Sequence, residues 1–449
     1  MKEGASFRWS GFNREGLMCM QERMEERFRR SRHRVRVCDR IRIKESETFK
    51  VASYAEAQHV IFDIRKYGAS PNRDMTQALK NAWKDACAST NAAKILIPTG
   101  TYKLGQVDLR GPCIILAPPN PDKLDGNAQW VKFGYINFFT LSGGGTFDGQ
   151  GQTAWKHNDC GRNKNCKKLS MVKNMFIYLY KVSSADFHLQ EVNNWVFPSL
   201  FPNLEFWIGF LNNSIVRDIT SKDSKNFHVN VLGCNNVTFV NFSINAPATS
   251  PNTDGIHIGR SSEINIIDSF IGTGDDCISL GDGSRNINVL RVTCGPGHGI
   301  SVGSLGKFTY EEPVEGFTVK NCTFRNTDNR VRIKTWPGAP GTITVSDLHY
   351  EDIIMVNVSN PILIEQDYCP YNQCSKETPS KIKISKVTFK NIKGTSATPD
   401  GVKLICSSGV PCEDAKLSGI DLTFNGAPTT AKCANVKPLI IGKAPSCVA

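Results

Sequence analysis

The sequence lacks three features that would place it in a common class of proteins. Its 449 residues contain no run of about 18 uncharged apolar residues, so a transmembrane helix is not expected. No two cysteines have the C-x-x-C spacing of a zinc cluster. The first 50 residues also lack the apolar stretch and small-residue cleavage site of a secretory signal. Hydrophobic residues nevertheless make up 40% of the chain, which is enough for a folded core.

The positive charge of the chain is concentrated at its start. The net charge is +12, from 54 basic and 42 acidic residues, and residues 1–50 carry 14 of the basic and 8 of the acidic ones. We predict that 1–59 is a basic extension, either disordered or the product of an incorrect gene model, and that 60–449 is one folded domain. A basic excess suits nucleic acid, an anionic membrane or an acidic polymer. The aromatic residues are not interleaved with basic ones, which argues against nucleic acid.

The cysteine content favours an oxidising compartment. Of the 16 cysteines, 14 lie between Cys87 and Cys447, and this even number predicts disulfide pairing. Short spacings typical of disulfide-closed loops occur at Cys160/Cys166, Cys369/Cys374 and Cys406/Cys412. Five N-x-S/T sequons also occur, at Asn212, Asn236, Asn241, Asn321 and Asn357. Together these features predict a secreted protein.

Short apolar segments repeat from about residue 211 onward. Examples are Ile264-Asn265-Ile266, Ile287-Asn288-Val289, Cys277-Ile278-Ser279-Leu280 and Gly299-Ile300-Ser301-Val302. Alternation with a period of two, β-branched residues and turn residues between the segments indicate short strands. A repeat of roughly 22 residues or more, with loops of variable length, predicts a parallel β-helix. The amphipathic stretch 74–88 precedes the repeats and is predicted to be a helix that caps the open end.

Stacking of the repeats would bring titratable residues together. The residues at one repeat position are Phe227, Asp254, Asp276, His298, Asn329 and Asn360. Neighbouring coils lie about 4.8 Å apart, so Asp254, Asp276 and His298 should be close, with Asp275 beside them. One of these acids should have a raised pKa, which suits general acid and base catalysis on a glycosidic bond. An isolated Asp-Gly pair is usually a turn, but four titratable groups in one column favour a catalytic site.

Two cations follow one repeat later. Because alternate residues of a strand share a face, Arg332 and Lys334 should project together while Ile333 points into the core. Two fixed cations beside a cluster of acids indicate recognition of a carboxylate on the substrate.

Four motifs in this order resemble those of polygalacturonases, glycoside hydrolase family 28, and of the plant pollen-type exopolygalacturonases in particular. They are Asn252-Thr253-Asp254-Gly255, Gly274-Asp275-Asp276, Gly297-His298-Gly299 and Arg332-Ile333-Lys334. The resemblance covers about residues 60–449 and implies an all-β fold, a right-handed single-stranded parallel β-helix of the pectin-lyase type. It also implies exo-acting, inverting hydrolysis of α-1,4-linked galacturonan in the cell wall. We expect a monomer that binds this acidic polysaccharide and uses no metal, cofactor, nucleic acid or membrane.

The resemblance further implies a role for each residue of the motifs. Asp275 corresponds to the general acid, and Asp254 and Asp276 correspond to the pair that activates water. His298 corresponds to the residue that tunes the protonation of the acid. The residues that correspond to substrate contacts are Arg332, Lys334, Asn252 and Tyr368. Those that correspond to a family disulfide are Cys277 and Cys294. An inverting mechanism predicts acid and base carboxyl groups roughly 6.5–9.5 Å apart.

The chain departs from the family pattern in three places. Arg330 stands where the family has glycine, the segment near Cys113 is short, and 172–207 is an atypical aromatic insertion. The last two also fit an incorrect gene model.

Alternatives to an exo-acting hydrolase are an endopolygalacturonase and a catalytically impaired β-helix that binds pectin. A pectate lyase on a similar solenoid is a further alternative, which would need a calcium site and a basic residue to abstract a proton.

Overall fold

The protein is described by a computed structural model in which strands dominate. The described residues are 41–42, 60–89, 93–96, 98, 114–117, 120, 129–135, 137–142, 144–158, 204–370 and 374–448. Their strands form one sheet of 21 strands and a second sheet of 11. Within the described ranges every strand pair is parallel except one short antiparallel pair near the end of the chain.

The 11-stranded sheet takes one strand from each successive coil. Its strands are β5 (Gln129–Gly134), β8 (Leu204–Gly209), β11 (Val229–Leu232), β14 (Ile256–Gly259), β17 (Asp276–Leu280), β20 (Gly299–Leu305), β23 (Asn329–Thr335), β25 (Asn360–Glu365), β27 (Asp400–Ile405), β30 (Thr430–Ala434) and β32 (Cys447–Val448). Each strand pairs with the strands of the coils before and after it. The sheet therefore runs along the length of the stack.

The 21-stranded sheet contains the remaining strands of the coils. In its first half these are β1 (Ile41–Arg42), β2 (Val60–Asp63), β3 (Ala93–Leu96), β4 (Ile114–Leu116), β6 (Thr140–Ser142), β7 (Thr146–Asp148), β9 (Asn212–Arg217), β10 (Thr220–Lys222), β12 (Asn235–Val240), β13 (Ser243–Asn245) and β15 (Ser262–Ile267). In its second half they are β16 (Phe270–Gly272), β18 (Arg285–Leu290), β19 (Thr293–Cys294), β21 (Val314–Lys320), β22 (Thr323–Arg325), β24 (Thr344–Val358), β26 (Lys383–Ser396), β28 (Glu413–Phe424), β29 (Ala427–Pro428) and β31 (Leu439–Ile441). Two parallel ladders run through this sheet and join at β24.

One coil consists of three strands, and the next coil repeats it. The strands β12, β13 and β14 form one coil, and β15, β16 and β17 form the next, each strand paired with its equivalent. In the smaller sheet Ile256 pairs with Ile278, and Ile278 pairs with Ile300. These spacings of 22 residues are those of the sequence repeat, so the prediction of a parallel β-helix is confirmed.

The core is a set of apolar ladders along the inside of the coils. The side chains of Ile258, Leu280, Val302, Ile333 and Ile364 stand in register in consecutive strands and are at most 1% exposed. Their neighbours two positions earlier form a second buried ladder of the same kind. Because alternate residues of each strand point outward, the core ladders leave the polar residues between them on the outer face.

The helix predicted at 74–88 is present as α1 (Thr76–Ala88), after the 3-10 helix Ile64–Tyr67. Its predicted apolar residues are all buried, namely Met75, Leu79, Ala82, Trp83 and Ala86. It contacts β2 and β3 at the start of the stack, as expected of a capping helix. A second helix, α2 (Gln152–His157), follows β7. Among the described helices none is long and apolar enough to cross a membrane.

Two strands differ from the boundaries expected from the sequence. Residues 41–42, within the predicted extension, form β1 between β3 and β4. Backbone groups of β3 and β4 would otherwise lack partners there, and an extended pair of residues satisfies them. At the end of the predicted insertion 172–207, residues 204–207 already belong to β8, in which the side chain of Phe206 is buried in the core. The rest of both segments, and Cys113, lie outside the described residues.

Four disulfides join cysteines of the described coils. They are Cys277–Cys294, Cys369–Cys374, Cys406–Cys412 and Cys433–Cys447. The expectation that all 14 cysteines pair is wrong for Cys234 and Cys322, which are free and buried in the core. A free cysteine in an apolar interior packs as a small hydrophobic residue, so these two need no partner. The predicted loop Cys160/Cys166 lies outside the described residues.

The stacking core predicts a large difference between two isoleucines. Ile300 is fully buried in the ladder, whereas Ile354 is 45% exposed. We expect Ile300→Ala to lower the free energy of unfolding by about 2–5 kcal/mol, since it leaves a cavity. The matched control Ile354→Ala should change it by only about 0.5 kcal/mol. Urea titration followed by circular dichroism measures both, and equal losses would contradict the proposed packing.

Candidate active site

The predicted acids meet on the outer face of the smaller sheet. Asp254 lies just before β14, Asp276 begins β17, and His298 lies just before β20. The register differs in one detail from simple counting, because Asp276 pairs with Gly299 and a bulge follows it. The bulge shifts the pairing by one residue, so the backbone N–H of His298 donates to the carbonyl of Asp275, 2.7 Å away.

Asp275 and His298 form a hydrogen-bonded pair. The Nδ1 atom of His298 lies 3.0 Å from Oδ1 of Asp275. Gly297 makes this approach possible, because its φ is +138° and an added Cβ would lie 2.5 Å from the Asp275 carbonyl oxygen. On the other side of the ring, Nε2 of His298 lies 3.6 Å from the exposed carboxylate of Asp328. The imidazole therefore stands between two carboxylates.

The two partners shift each other's protonation. The hydrogen bond that His298 donates to Asp275 raises the pKa of His298 above its usual value against the opposing effect of burial, and the charges of Asp275, Asp276 and Asp328 raise it further. Burial alone would raise the pKa of Asp275, but the hydrogen bond and charge of His298 outweigh it, so this pKa is lowered. Below the raised pKa of His298 and above the lowered pKa of Asp275, the pair is thus an ion pair with its proton on His298.

Asp276 is held by two donors. The ammonium of Lys334 lies 2.8 Å from its Oδ2 atom, and the hydroxyl of Ser301 donates to Oδ1 over 2.7 Å. One oxygen of Asp276 and one oxygen of Asp275 lie within 4.8 Å of each other. The roughly 6.5–9.5 Å expected between the acid and base carboxyl groups of an inverting enzyme is a different distance and stays a prediction.

Asp254 has the opposite protonation behaviour from Asp275. Burial, followed by the charges of Asp275 and Asp276, raises its pKa well above the usual value. The hydroxyl of Ser279 donates to its Oδ2 atom over 3.1 Å, and Nδ1 of His257 lies 2.8 Å behind that hydroxyl. Because Ser279 has one hydrogen and gives it to Asp254, His257 donates to Ser279. Burial lowers the pKa of His257 to about 4, which favours the neutral ring. The expectation that one acid has a raised pKa is met by Asp254.

The two predicted cations project from one face of β23. Between them Ile333 is buried in the core, as the alternation predicted. Arg332 pairs with Glu365, its guanidinium nitrogen lying 2.5 Å from a carboxylate oxygen. The ring of Tyr368 lies 5.0 Å from the Arg332 guanidinium and 5.7 Å from the Lys334 ammonium. Both cations are therefore already paired with carboxylates of the protein.

The structure brings most of the predicted site residues into one network, with one exception. Asn252 stands in a left-handed turn, where it is exposed and accepts a hydrogen bond from Asn158 instead of contacting the acids. The disulfide between Cys277 and Cys294 is present and joins the coils that carry the acids and the histidine. Arg330 lies in β23, but its side chain is outside the described part of the structure.

Sequence reasoning missed four residues of the network. They are Ser279, Ser301, His257 and Glu365. A signal was present for three of them, because His257, Ser279 and Ser301 share one outward column that continues to Arg332. Glu365 pairs with Lys334 in the strand register, although its carboxylate reaches Arg332. Following the polar column beside the acids would have found them.

A metal is not required to compensate the acids in this arrangement. Asp275, Asp276 and His298 each offer one atom within 4.8 Å of the others, which is close enough to hold a cation. However, Nδ1 of His298 is engaged with Asp275, and the Lys334 ammonium already occupies an oxygen of Asp276. A surface depression of about 430 Å³ lined by Arg217, Asp218 and Asn241 lies on the larger sheet, away from these acids.

Comparison with known proteins shows the family of the chain. The sequence profile of the glycosyl hydrolases family 28 matches residues 87–200 and 202–447. The chain belongs to glycosyl hydrolases family 28. It is 55% identical over 409 residues to a polygalacturonase of Medicago sativa, which covers 89% of this chain and 90% of that protein. It is 50% identical over 384 residues to an exopolygalacturonase of Oenothera organensis, which covers 82% of this chain and 96% of that protein.

Two solved structures have the same fold. The endo-xylogalacturonan hydrolase of Aspergillus tubingensis superposes with a TM-score of 0.62 at 22% identity, over 87% of this chain and all of that one. The polygalacturonase of Erwinia carotovora gives 0.52 at 21% identity, over 88% of this chain and all of that one. The predictions of a glycoside hydrolase and of a parallel β-helix are thus confirmed.

Asp328 should set the alkaline limit of activity in this family 28 enzyme. Its negative charge helps to raise the pKa of His298, so Asp328→Asn should lower that pKa. The proton shared with Asp275 is then lost at a lower pH, and the alkaline limb of the kcat/KM profile on polygalacturonate, the substrate named for the relatives, should move down. Because Asp328 is exposed, kcat/KM at the optimum should fall less than about three-fold.

The matched control for Asp328 is an aspartate–histidine pair on the larger sheet. Asp347 lies 3.0 Å from Nε2 of His349 and is likewise exposed. Asp347→Asn should leave the profile unchanged. An unshifted limb in Asp328→Asn would show that His298 does not set the alkaline limit.

Ser279 should set the acidic limit of activity, and its removal should move that limit to higher pH. Its hydrogen bond lowers the pKa of Asp254, so Ser279→Ala should raise that pKa further and move the acidic limb of kcat/KM to higher pH. The loss of one hydrogen bond to a carboxylate should also lower kcat/KM about ten-fold at the optimum. Ser418→Ala, in β28 of the larger sheet, is the control. An acidic limb that stays in place would separate Ser279 from the titration of Asp254.

Proposed function

We propose that this chain is an exo-acting polygalacturonase that hydrolyses α-1,4-galacturonosidic bonds of pectic polygalacturonate with inversion. The observation that carries the proposal is the meeting of Asp254, Asp275 and Asp276 with His298 on adjacent coils, beside a cationic pair. The reaction needs no metal or cofactor in this proposal. The resemblance of the four motifs to polygalacturonases and the names of the curated relatives support it.

Asp275 acts as the general acid, although its pKa is lowered in the free protein. A galacturonan chain carries a carboxylate on each sugar, and its arrival adds negative charge and removes water. Both changes favour the neutral form of a carboxyl group, and loss of water disfavours the ion pair with His298. The proton then passes from Nδ1 of His298 to Asp275, which gives it to the glycosidic oxygen as the bond to C1 breaks.

Asp254 and Asp276 position and activate the water. Lys334 and Ser301 fix the Asp276 carboxylate, so it can orient a water molecule on the face of the sugar opposite the leaving group. Asp254 acts as the base, because its pKa is raised and a carboxylate of higher pKa binds a proton more firmly. The water oxygen attacks C1 and its proton goes to Asp254.

Arg332, Lys334 and Tyr368 bind the sugar next to the bond that is cleaved. The guanidinium of Arg332 has five donors, and Glu365 uses two of its N–H groups, which leaves donors for a uronate carboxylate. Tyr368 offers an aromatic ring against which a pyranose ring packs, and the two cations beside it hold the acidic group. Asn252 contributes from its exposed turn at the edge of the site.

Exo action from the chain end is favoured because two plant relatives, from Oenothera organensis and Platanus acerifolia, are named exopolygalacturonases. An endopolygalacturonase, or an impaired pectin-binding β-helix, is the alternative.

We infer a monomer secreted to the cell wall, which binds neither nucleic acid nor membrane. Four disulfides and five exposed sequon asparagines support secretion.

The deciding experiment measures viscosity and reducing ends together on polygalacturonate. We expect the wild-type chain to release monogalacturonate with little loss of viscosity, and Asp275→Asn, which keeps the size of the side chain but removes the acid, to be much slower. Turnover should fall by about 100-fold or more, the size of a general-acid contribution. Proton NMR of the first product gives the anomeric configuration and hence tests inversion.

Other outcomes would select the alternatives. A rapid fall in viscosity would indicate endo action, and binding without hydrolysis by the folded wild-type chain would indicate the impaired form. An unsaturated product that absorbs in the ultraviolet would identify a lyase. Unchanged turnover in Asp275→Asn would remove Asp275 from the role of acid.

A further inference from the structure

Lys307 occupies a fixed position at the end of the strand that follows His298. It comes two residues after β20, in a loop whose backbone is hydrogen-bonded to the carboxylate of Glu311. This carboxylate accepts hydrogen bonds from the backbone N–H groups of Gly306, at 2.5 Å, and Phe308, at 3.1 Å. The residues on both sides of Lys307 are thus held by one acid, so its side chain starts from a defined place.

The ammonium of Lys307 differs from those of the other cations nearby. It lies 5.6 Å from the ring centroid of Phe308 and 5.2 Å from that of Trp336, and it is exposed. Arg332 and Lys334 each pair with a carboxylate, whereas no ion pair is formed by Lys307 within the described residues. It is a cation held by aromatic faces and available to an anion from solvent.

An unbroken series of contacts connects Lys307 to the catalytic acids. Trp336 packs edge-on against Tyr368, with ring centroids 5.4 Å apart, and Tyr368 lies beside Lys334, which donates to Asp276. The backbone N–H of Trp336 also donates to the carbonyl of Leu305, so the ends of β20 and β23, just before Lys307 and Trp336, lie side by side. The aromatic surface around Lys307 is therefore continuous with the candidate active site.

We propose that Lys307, with the faces of Trp336 and Phe308, forms an acidic-sugar subsite that binds the carboxylate of a uronate unit other than the one held by Arg332 and Lys334. The inference rests on the proposed function, since it requires a substrate with a carboxylate on successive sugars. A sugar packs its apolar face on an aromatic ring, and its carboxylate forms a charge-assisted contact with the ammonium. A neutral polysaccharide would gain only the first of these contacts.

A purely structural role would give a different result. If Lys307 only stabilised the loop by its contacts with the two rings, its removal would lower the melting temperature and leave KM unchanged. If it binds substrate, KM changes and the melting temperature does not. The two roles are therefore separated by measuring both quantities on the same variants.

The test compares three substitutions of Lys307 with one control. Lys307→Gln should raise KM for polygalacturonate about five-fold with kcat within two-fold of wild type, the effect of losing one exposed ion pair. Lys307→Glu should raise KM further by repulsion, and Lys307→Arg should restore it. Lys390→Gln, an exposed lysine in β26 on the larger sheet, is the matched control and should leave KM unchanged.

Methyl-esterified pectin provides a second, independent readout. The KM penalty of Lys307→Gln should shrink as the degree of esterification rises, because the esters remove the anion that Lys307 recognises. A KM unchanged in both Lys307→Gln and Lys307→Glu, or a penalty that ignores esterification, would overturn the inference while leaving the proposed function intact. A wild-type chain that fails to hydrolyse polygalacturonate would instead overturn the proposed function itself.

Discussion

The hydrogen-bonded register between successive coils of the smaller sheet determines where every residue of the site lies. Ile256, Ile278 and Ile300 are partners in three consecutive strands, and all are fully buried. A slip of one residue would turn these side chains to solvent and bring polar ones inside, so burial of the core holds the register. The positions of the acids at the starts of these strands follow from that constraint. The site is thus stabilised mainly by the packing beneath it rather than by contacts among its own residues.

Because the packing of the core fixes these positions, the site holds carboxylates that repel each other. Stacking forces Asp254 and Asp276 onto neighbouring coils whatever their mutual repulsion, and burial adds to the cost of ionising both. The ion pair with Lys334 and the hydrogen bond from Ser301 offset that cost at Asp276, while Asp254 responds with a raised pKa. Asp254 and Asp275, two aspartates on neighbouring coils, therefore have pKa values shifted in opposite directions because their neighbours differ.

The parts of the structure that follow from the spacing of the repeats and from the alternation of side chains along a strand were predictable from the sequence. The repeat placed Asp254 and Asp276 in one column, and alternation placed Arg332 and Lys334 on one face. The bulge after Asp276 was not predictable, because one extra residue in a strand leaves no mark on a pattern of variable loops. The partners of the cations were not predictable either, since the long side chain of Lys334 crosses two coils to reach Asp276. The spacing of the repeats fixes where the backbone of a residue with a long side chain lies, but it does not fix which atom the end of that side chain contacts.

The charge balance of the cluster limits how a polyanion can bind. The charges of Arg332 and Lys334 are balanced by Glu365 and Asp276, so a uronate carboxylate that binds to their remaining N–H groups adds net negative charge to the cluster. Protonation changes this balance, because a proton on Asp254 removes a negative charge and one on His298 adds a positive charge. Binding of an acidic polymer and the supply of a proton for cleavage are therefore favoured by the same fall in pH. A cation outside the paired set, such as Lys307, attracts the polymer without that condition.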